Sequence, residues 1–182
     1  MQIGRHRPAW GPAAAAPRDL LARPMRHDVA MAIEFRPGRA DRSPGRELLA
    51  DLIAYFNEVY PGRAARPGSI TTADEMAAPH GAFLVGYEAG KAVAIGGLRA
   101  FEDGICEIKR MYVVPAARSR GAGRALLAAL EDAARDLGYE RVRLDAGPQQ
   151  RHSRALFADA GYVEIERYNA NHIADYFAEK RL

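Results

Sequence analysis

Residues 107–127 read EIKRMYVVPAARSRGAGRALL. The first half of this stretch is rich in β-branched and apolar residues, which predicts a strand followed by a short turn. Gly121 and Gly123 then flank one alanine in a loop that opens a helix. Such a loop directs several backbone N–H groups to one point at the positive end of a helix dipole. The stretch therefore predicts a binding site for a phosphate or pyrophosphate group.

Length and cysteine content limit the class of protein. At 182 residues the chain is long enough for one well-buried domain and too short for two ordinary ones. Its single cysteine, Cys106, excludes an intramolecular disulfide, argues against a cysteine-based metal site and fits a reducing compartment. No apolar run approaches the roughly 20 residues that a membrane-spanning helix needs. We therefore expect a cytoplasmic protein that is not integral to a membrane.

The formal net charge of +3 is unevenly distributed. Residues 1–30 hold five arginines and two aspartates, so the remainder of the chain is neutral. A neutral domain gives no case for binding nucleic acid. Residues 1–30 lack periodicity and predict a flexible tail, with a targeting segment or a translation start at Met31 as alternatives. The folded domain is expected to span residues 31–182.

The periodicity of the remaining sequence predicts seven strands and three helices. Apolar residues at helical spacing predict helices over 43–60, with Ser43 or Asp41 as the N-cap, and over 121–137 and 150–160. Strand-like runs cover 32–36, 82–88, 91–100, 105–114, 141–145, 162–167 and 172–180. Turn signals make 82–114 an antiparallel meander, and a polar loop over 63–79 is expected to shape a substrate entrance. This pattern predicts an α/β fold of the α+β type, with a mixed, mostly antiparallel sheet of six or seven strands.

This element order, together with the segment Arg118-Ser-Arg-Gly121-Ala-Gly123, resembles the GNAT family of acyl-CoA-dependent N-acetyltransferases. The family's acyl-CoA loop follows the pattern Gln/Arg-x-x-Gly-x-Gly/Ala, which the segment matches throughout. Residues 107–113 resemble the family's fourth strand, and residues 155–162 resemble its late Ala-Leu-Tyr-x-x-x-Gly-Phe/Tyr segment. The resemblance covers about residues 32–181. It implies the GNAT fold, in which about four helices flank the sheet.

The resemblance also implies that acetyl-CoA is the acyl donor, that no metal takes part, and where the donor binds. Backbone groups on the fourth strand would hold the pantetheine arm as an added strand would; they belong to Met111, Tyr112 and Val113. The glycine loop would surround the pyrophosphate with Arg118, Ser119, Arg120, Gly121, Ala122, Gly123, Arg124 and Ala125. Arg120 or Arg124 would add charge-assisted bonds. Gln150, where many members have an asparagine, and Ser153 complete the predicted cofactor site.

Acyl transfer to an amine needs a group that takes the proton of the amine. Glu107 is the candidate, because some family members carry a catalytic glutamate at this spacing from the acyl-CoA loop. An ion pair with an arginine of a neighbouring strand is the structural alternative. Strand alternation would put Lys109, Met111 and Val113 on the same face as Glu107, although a bulge, usual in the family, would change that phase.

A second proton is needed for the departing thiolate. The family often has a tyrosine at the position of Phe157, which has no hydroxyl. Tyr162 and Tyr168 are the candidates to replace it, with His152 or water as alternatives, and core packing is the alternative role of the two tyrosines. A backbone N–H, that of Met111, would polarise the acyl carbonyl.

The predicted activity is N-acetylation of a primary amine of a small molecule by direct transfer in a ternary complex. Acetylation of a protein or peptide amine is one alternative, and a non-catalytic CoA-binding regulatory domain, which Phe157 would permit, is another. The glycine loop lacks the third glycine of a dinucleotide-binding fingerprint, and the five histidines show no metal-ligand spacing. Cys106 is expected to be a buried structural thiol. A homodimer is expected by analogy with the family.

Overall fold

The computed structural model describes residues 33–62 and 71–182. The predicted N-terminal tail and the first part of the predicted entrance loop lie outside the described residues. Within the described residues no helix is long and apolar enough to cross a membrane.

All ten predicted elements are present, in the predicted order. The strands are β1 (Glu34–Pro37), β2 (Ala82–Glu88), β3 (Lys91–Glu102), β4 (Ile105–Val113), β5 (Arg141–Ala146), β6 (Val163–Glu164) and β7 (Tyr176–Arg181). The helices are α1 (Gly45–Val59), α2 (Ala122–Asp136) and α3 (Arg151–Asp159), and a 3₁₀ turn covers Pro115–Ala117. The described part of the chain thus has three α-helices where the resemblance implied about four.

One residue boundary differs for a local reason. The sequence predicted Ser43 or Asp41 as the N-cap of α1, but the cap position is held by Pro44, and no side chain caps the helix. The carboxylate of Asp41 is instead bound by Arg39, whose Nε donates to Oδ1 at 2.8 Å. The helix therefore begins at Gly45.

The strands form one sheet in the order β1-β2-β3-β4-β5-β7-β6. Strands β4 and β5 run parallel, whereas the other pairs in the described residues are antiparallel. The β4–β5 pairing covers only Ile105–Glu107 on one side and Arg141–Arg143 on the other. Beyond these residues the two strands have no register partners in each other, so residues 108–113 and 144–146 border a gap in the sheet.

Apolar clusters cover both faces of the sheet. The α1 face is buried by a cluster that includes Leu48, Leu52, Phe83, Val85 and Ile95. The α2 face, which α3 also covers, is buried by a larger cluster that includes Leu84, Ile108, Leu126, Leu130, Leu144 and Phe157. Helices α1 and α2 both contact β3 and β4 next to the gap. An apolar cluster therefore lies on each face of the sheet beside the gap.

A β-bulge interrupts β4 beside the gap. Arg110 has a φ of 60°, and Arg110 and Met111 together oppose Gly96 of β3 without register partners of their own. Two residues opposite one is the geometry of a bulge, which bends the strand and frees backbone groups from the ladder. The bulge expected from the family resemblance is therefore present.

The extra residue reverses the side-chain alternation of β4. Ile108 lies on the α2 face, and past the bulge Met111 and Val113 also pack against the α2-face cluster. Tyr112 packs against the α1-face cluster instead. Met111 and Val113 therefore do not share the face of Glu107, and the change of phase expected from a bulge is present.

The predicted strands after α3 are shorter than expected. Strand β6 has only two residues, and the chain between it and β7 forms a loop over 165–175, called here loop 165–175. Tyr168, Asn169 and Asn171 of this loop bond side chains of β4 and β5. These long-range bonds hold the loop over the gap. The residues that follow β6 therefore do not continue it along the edge of the sheet.

Candidate active site

Charged and polar side chains from four segments meet at the gap between β4 and β5. They come from β3, β4, β5 and loop 165–175. We call this group the gap cluster, and it consists of Arg99, Glu107, Lys109, Asp145, Tyr168, Asn169 and Asn171.

Glu107 lies at the centre of the gap cluster with a fully buried side chain, 0% exposed. Its Oε2 accepts from Arg99 Nε at 2.9 Å. Its Oε1 accepts from Tyr168 Oη at 3.0 Å and from Asn169 Nδ2 at 2.8 Å, and Lys109 Nζ lies 2.8 Å away. Arg99 is its direct register partner on β3, so the ion pair named as the structural alternative is present. Both carboxylate oxygens are fully engaged.

Asp145 is the second carboxylate of the gap cluster, and its side chain is 10% exposed. Its Oδ2 accepts from Lys109 Nζ and from Asn169 Nδ2, each at 2.7 Å. Its Oδ1 accepts only from Asn171 Nδ2, at 3.2 Å. Asp145 lies two residues beyond Arg143, where the pairing of β5 with β4 ends. Asp145 is therefore more accessible and less fully hydrogen-bonded than Glu107.

Tyr168 is fixed between two aromatic rings. Its ring makes edge contacts with Phe101 and Phe177, with centroid distances of 5.1 and 5.6 Å. Burial raises the pKa of Tyr168 above its usual value, and the charges of Glu107 and Asp145 raise it further. The hydroxyl therefore keeps its proton at neutral pH and acts as a hydrogen-bond donor to Glu107.

Tyr162, the other predicted tyrosine, lies elsewhere. It packs in the α2-face cluster, 6.0 Å from the ring of Phe157. Burial, and then the charge of Glu131, raise its pKa, and Lys180 Nζ lies 5.7 Å from its ring centroid. Because Glu107 points to the opposite face of the sheet, Tyr162 does not join the gap cluster. Core packing, the alternative reading of this tyrosine, describes its position.

The glycine loop presents free backbone amides. Helix α2 begins at Ala122 after Gly121, which has a φ of 83°, and Ser119 has a φ of 62°. No side chain caps the helix, and its first turn holds no acidic residue. The amide of Ala125 already donates to the carbonyl of Gly121 at 3.0 Å, which leaves the amides of residues 122–124 for a ligand. A β-carbon on Gly121 would meet nothing within 4 Å, so this cradle is open and fits a pyrophosphate.

The three arginines of the loop are held in different ways. Arg118 turns away from the cradle, since its Nε donates to the Val113 carbonyl at 2.9 Å and its guanidinium lies over the rings of Tyr55 and Tyr112. Its backbone therefore belongs to the glycine loop, while its side chain joins the loop to α1.

Arg120 and Arg124 form exposed ion pairs. Arg120 pairs with Glu88 at 2.9 Å, and Arg124 pairs with Asp159 at 3.4 Å. Exposed pairs contribute roughly 0–1 kcal/mol. Either arginine can therefore exchange its carboxylate for a phosphate at little cost in stability.

The backbone of β4 past the bulge is directed at the gap. The amide of Val114 donates to the carbonyl of Val93 on β3 at 2.9 Å. Because successive peptide groups alternate in direction, the amide and carbonyl of Val113 point away from β3. The carbonyl already accepts from Arg118 Nε at 2.9 Å, which leaves the amide to pair with an added strand such as a pantetheine arm, with Met111 in the bulge next to it.

The residues predicted at the start of α3 differ in their contacts. Gln150 Oε1 accepts from the amide of Gly147 at 2.7 Å, so its carbonyl stabilises its own loop. Ser153 is half-buried, and His152 is exposed. Cys106 is buried and free, as the sequence predicted. In the part of the chain that the structure describes, no group of three or more His, Cys, Asp or Glu side chains could hold a metal ion.

Sequence reasoning did not identify five members of the gap cluster as functional: Arg99, Lys109, Asp145, Asn169 and Asn171. Two local signals were available for some of them. An aspartate ends the apolar alternation of β5, and two asparagines stand two residues apart in a segment interpreted as strand. Neither signal indicates which strands these residues contact in the folded protein.

Comparison with known proteins gives the family. The model of the acetyltransferase (GNAT) family matches residues 45–162. An IAA acetyltransferase of Azospirillum brasilense is 33% identical over 119 residues, which are 65% of this chain and 76% of that protein. The uncharacterized N-acetyltransferase YjgM of Escherichia coli is 32% identical over 90 residues, which are 48% of this chain and 53% of that protein.

Solved structures show the same fold. A Klebsiella pneumoniae protein assigned as an acyl-CoA N-acyltransferase has a TM-score of 0.66 at 27% identity, and the match covers 84% of this chain and 99% of that one. A PaiA N-acetyltransferase from Thermoplasma acidophilum, solved with coenzyme A, has a TM-score of 0.59 at 17% identity, and the match covers 84% of this chain and 100% of that one.

The family model matches more than half of the chain, and the sheet has the gap and the glycine loop described above. The chain therefore belongs to the GNAT acetyltransferase family. It is an acyl-CoA-dependent N-acyltransferase, and acetyl-CoA is its acyl donor. The alternative of a non-catalytic CoA-binding domain is therefore not retained.

Proposed function

We propose that this protein transfers the acetyl group of acetyl-CoA to the primary amine of a small molecule, by direct transfer in a ternary complex. The observation that carries this proposal is Asp145, a carboxylate in the gap with a side chain only 10% exposed. A recessed carboxylate of this kind suits a narrow primary amine. The similarity to a protein named IAA acetyltransferase supports a small-molecule acceptor.

Asp145 is proposed to take the proton of the acceptor amine. A primary amine is mostly protonated at neutral pH and must lose a proton before it can attack an acyl carbon. The Oδ1 atom of Asp145 has one bond, of 3.2 Å, and therefore has lone-pair capacity for that proton. Attack of the amine nitrogen on the acyl carbon forms the C–N bond and breaks the C–S bond of the bound thioester, and CoA leaves as a thiolate that takes its proton from water. The backbone amide of Met111, which has no register partner on β3, is proposed to polarise the acyl carbonyl.

Glu107 and Tyr168 are proposed to position the site. The buried Glu107 carboxylate draws Lys109 Nζ and Asn169 Nδ2 to within 2.8 Å, and both of these groups also bind Asp145. Tyr168 donates to the same oxygen, Oε1, and Arg99 fixes the carboxylate at Oε2. In this arrangement Glu107 sets the orientation of Asp145 through shared donors.

The glycine loop is proposed to hold the pyrophosphate through the amides of residues 122–124, with Arg120 and Arg124 adding charge. The Val113 backbone is proposed to bind the pantetheine arm. Gln150 is assigned no direct contact, because its carbonyl is used by Gly147.

The proposed function is tested by thiol release from acetyl-CoA across a panel of small primary amines. We expect turnover with at least one small amine, together with an acetyl-CoA-dependent rise in melting temperature. Turnover with lysine-containing peptides alone would replace the small-molecule acceptor with a protein amine. A lack of stabilisation by acetyl-CoA would contradict the proposed cofactor site.

A homodimer and a cytoplasmic location are proposed by analogy with the family alone. Light scattering after size-exclusion chromatography measures the first, and cell fractionation measures the second.

A further inference from the structure

Arg110 has an unusual backbone for its place in the fold. Three non-glycine residues of the described chain have positive φ, and they are Ala89, Arg110 and Ser119. Ala89 lies in a hairpin turn and Ser119 in the glycine loop, whereas Arg110 lies inside strand β4. A side chain held in this strained conformation beside a gap is often a functional one.

The guanidinium of Arg110 also lacks a partner within the described residues. The other half-buried arginines each pair with a carboxylate; they are Arg39, Arg99, Arg141, Arg143 and Arg154. Arg110 is half-buried as well, but it has no hydrogen bond and no ion pair to a described residue. A partly desolvated cation without a counter-ion is unfavourable unless a ligand supplies the anion.

The charges around Arg110 indicate where that anion would lie. Burial lowers the pKa of Arg110, Asp145 raises it and Arg99 lowers it. Asp145 is thus within electrostatic range of Arg110 without binding it. The two residues lie on the two strands that border the gap, one with a free cation and the other with a partly free carboxylate oxygen.

We propose that the acceptor is an α-amino acid, whose carboxylate is bound by Arg110 while its amine faces Asp145. This inference rests on the proposed function and adds the class of acceptor. A guanidinium binds a carboxylate through two parallel hydrogen bonds, which fixes orientation as well as affinity. An α-amino acid carries an amine and a carboxylate on the same carbon. Arg110 on one side of the gap can bind the carboxylate while Asp145 on the other side faces the amine.

The test uses matched sets of acceptors with the full-length protein. Each set holds an L-amino acid, its primary carboxamide and the amine that lacks the carboxyl group. Thiol release gives kcat/KM for each compound. We expect the wild type to prefer the amino acid over both analogues of its set by about 100-fold, as for a hydrogen bond between charged groups.

Arg110→Gln is the test variant and Arg141→Gln the control. Both changes remove the positive charge of one half-buried arginine, but Arg141 pairs with Glu179 and lies where β4 and β5 are still paired. We expect Arg110→Gln to lose the preference for the carboxylate and to keep acetyl-CoA binding, and Arg141→Gln to keep both. Melting temperatures establish that each variant is folded, and Arg110→Lys serves as a second variant if Arg110→Gln is unstable.

Calorimetric titration of the same compounds into the CoA-bound protein reports the subsite without turnover. Amines acetylated without regard to a carboxylate, in wild type and Arg110→Gln alike, would leave the proposed function standing and overturn this inference. Amino acids that bind through Arg110 but are not acetylated, while other small amines are, would overturn the amino acid as acceptor and leave the proposed function standing. Equal loss with every acceptor in Arg110→Gln would make Arg110 a structural residue.

Discussion

At the residue scale, the two carboxylates of the gap cluster have different surroundings and so different consequences when changed. Glu107 is enclosed by two cations and two neutral donors, so removing its charge leaves Arg99 and Lys109 without their shared partner. Asp145 keeps one oxygen with a single weak bond. We therefore expect Glu107 to matter for stability and geometry, and Asp145 to matter for proton transfer.

Glu107→Gln should lower the free energy of unfolding by about 3 kcal/mol, because it breaks a buried ion pair from one side. Turnover should fall as well, since Lys109 and Asn169 lose the group that orients them, while acetyl-CoA binding is retained. Urea unfolding measures the first effect and thiol release the second. Glu58→Gln, on the exposed side of α1, is the control. A loss of stability below 1 kcal/mol would contradict this view of Glu107.

Asp145→Asn should lower kcat/KM about 100-fold, as expected when a general base is removed, with a smaller loss of stability than Glu107→Gln. Steady-state thiol release separates the base from a structural residue. The loss should lie in kcat, while the KM for acetyl-CoA stays as in the wild type. An unchanged kcat would remove Asp145 as the proton acceptor.

At the element scale, the junction between the glycine loop and α2 is the feature that local sequence explains best. Gly121 has a φ of 83°, which favours glycine, and the loop ends at a helix whose first amides are not capped. Gly123 is different, because it lies in the first turn of α2. A β-carbon there would lie 3.4 Å from Leu156 Cδ2, an ordinary contact.

Gly121→Ala should therefore lower the melting temperature and raise the Kd for acetyl-CoA about tenfold, because alanine is strained at that φ and the amides behind it would shift. Calorimetry measures the affinity. Gly123→Ala is the matched control and should change neither value, since its methyl group makes an ordinary contact with Leu156 and the family pattern accepts alanine at this position. Normal affinity in Gly121→Ala would place the pyrophosphate elsewhere.

At the scale of the whole molecule, alkaline pH should destabilise the fold through its buried acids. Burial raises the pKa of the Cys106 thiol from its ordinary value of 9.0 to about 12. As the pH rises above about 9, the unfolded chain loses this proton first and is stabilised relative to the folded one. Burial also raises the pKa values of Tyr162 and Tyr168, which adds the same effect above pH about 10.

Cys106 should account for about 2 kcal/mol of the stability lost between pH 7.5 and pH 10.5, from the linkage between proton binding and folding. Urea unfolding of the wild type and of Cys106→Ala at both pH values isolates this share. The variant should lose about 2 kcal/mol less than the wild type over the same interval. Parallel losses in the two proteins would show that the thiol is not protected in the folded state.

Much of the fold follows from local patterns. The ten elements follow from the periodicity of apolar residues and from turn glycines, since both act over a few residues. Strand β6 was predicted too long because the apolar residues of the segment 162–167 are typical of a strand. The loop that follows β6 is set instead by the bonds that draw Tyr168 and Asn169 to the gap, and these bonds join residues more than 20 positions apart. Such bonds leave no periodic trace in the sequence.

The sequence by itself determined the family, the order of the elements and the glycine loop, because the conformation of such a loop depends on its own residues. Only the tertiary structure decided the surroundings of the two carboxylates. The pairing of β4 with β5 ends at Glu107 and Arg143, so Asp145 and loop 165–175 meet Lys109 across the gap. The bulge then separates Met111 from the face of Glu107 and leaves Arg110 beside the gap without a partner among the described residues. These placements depend on strand separation and register, which no short stretch of sequence encodes.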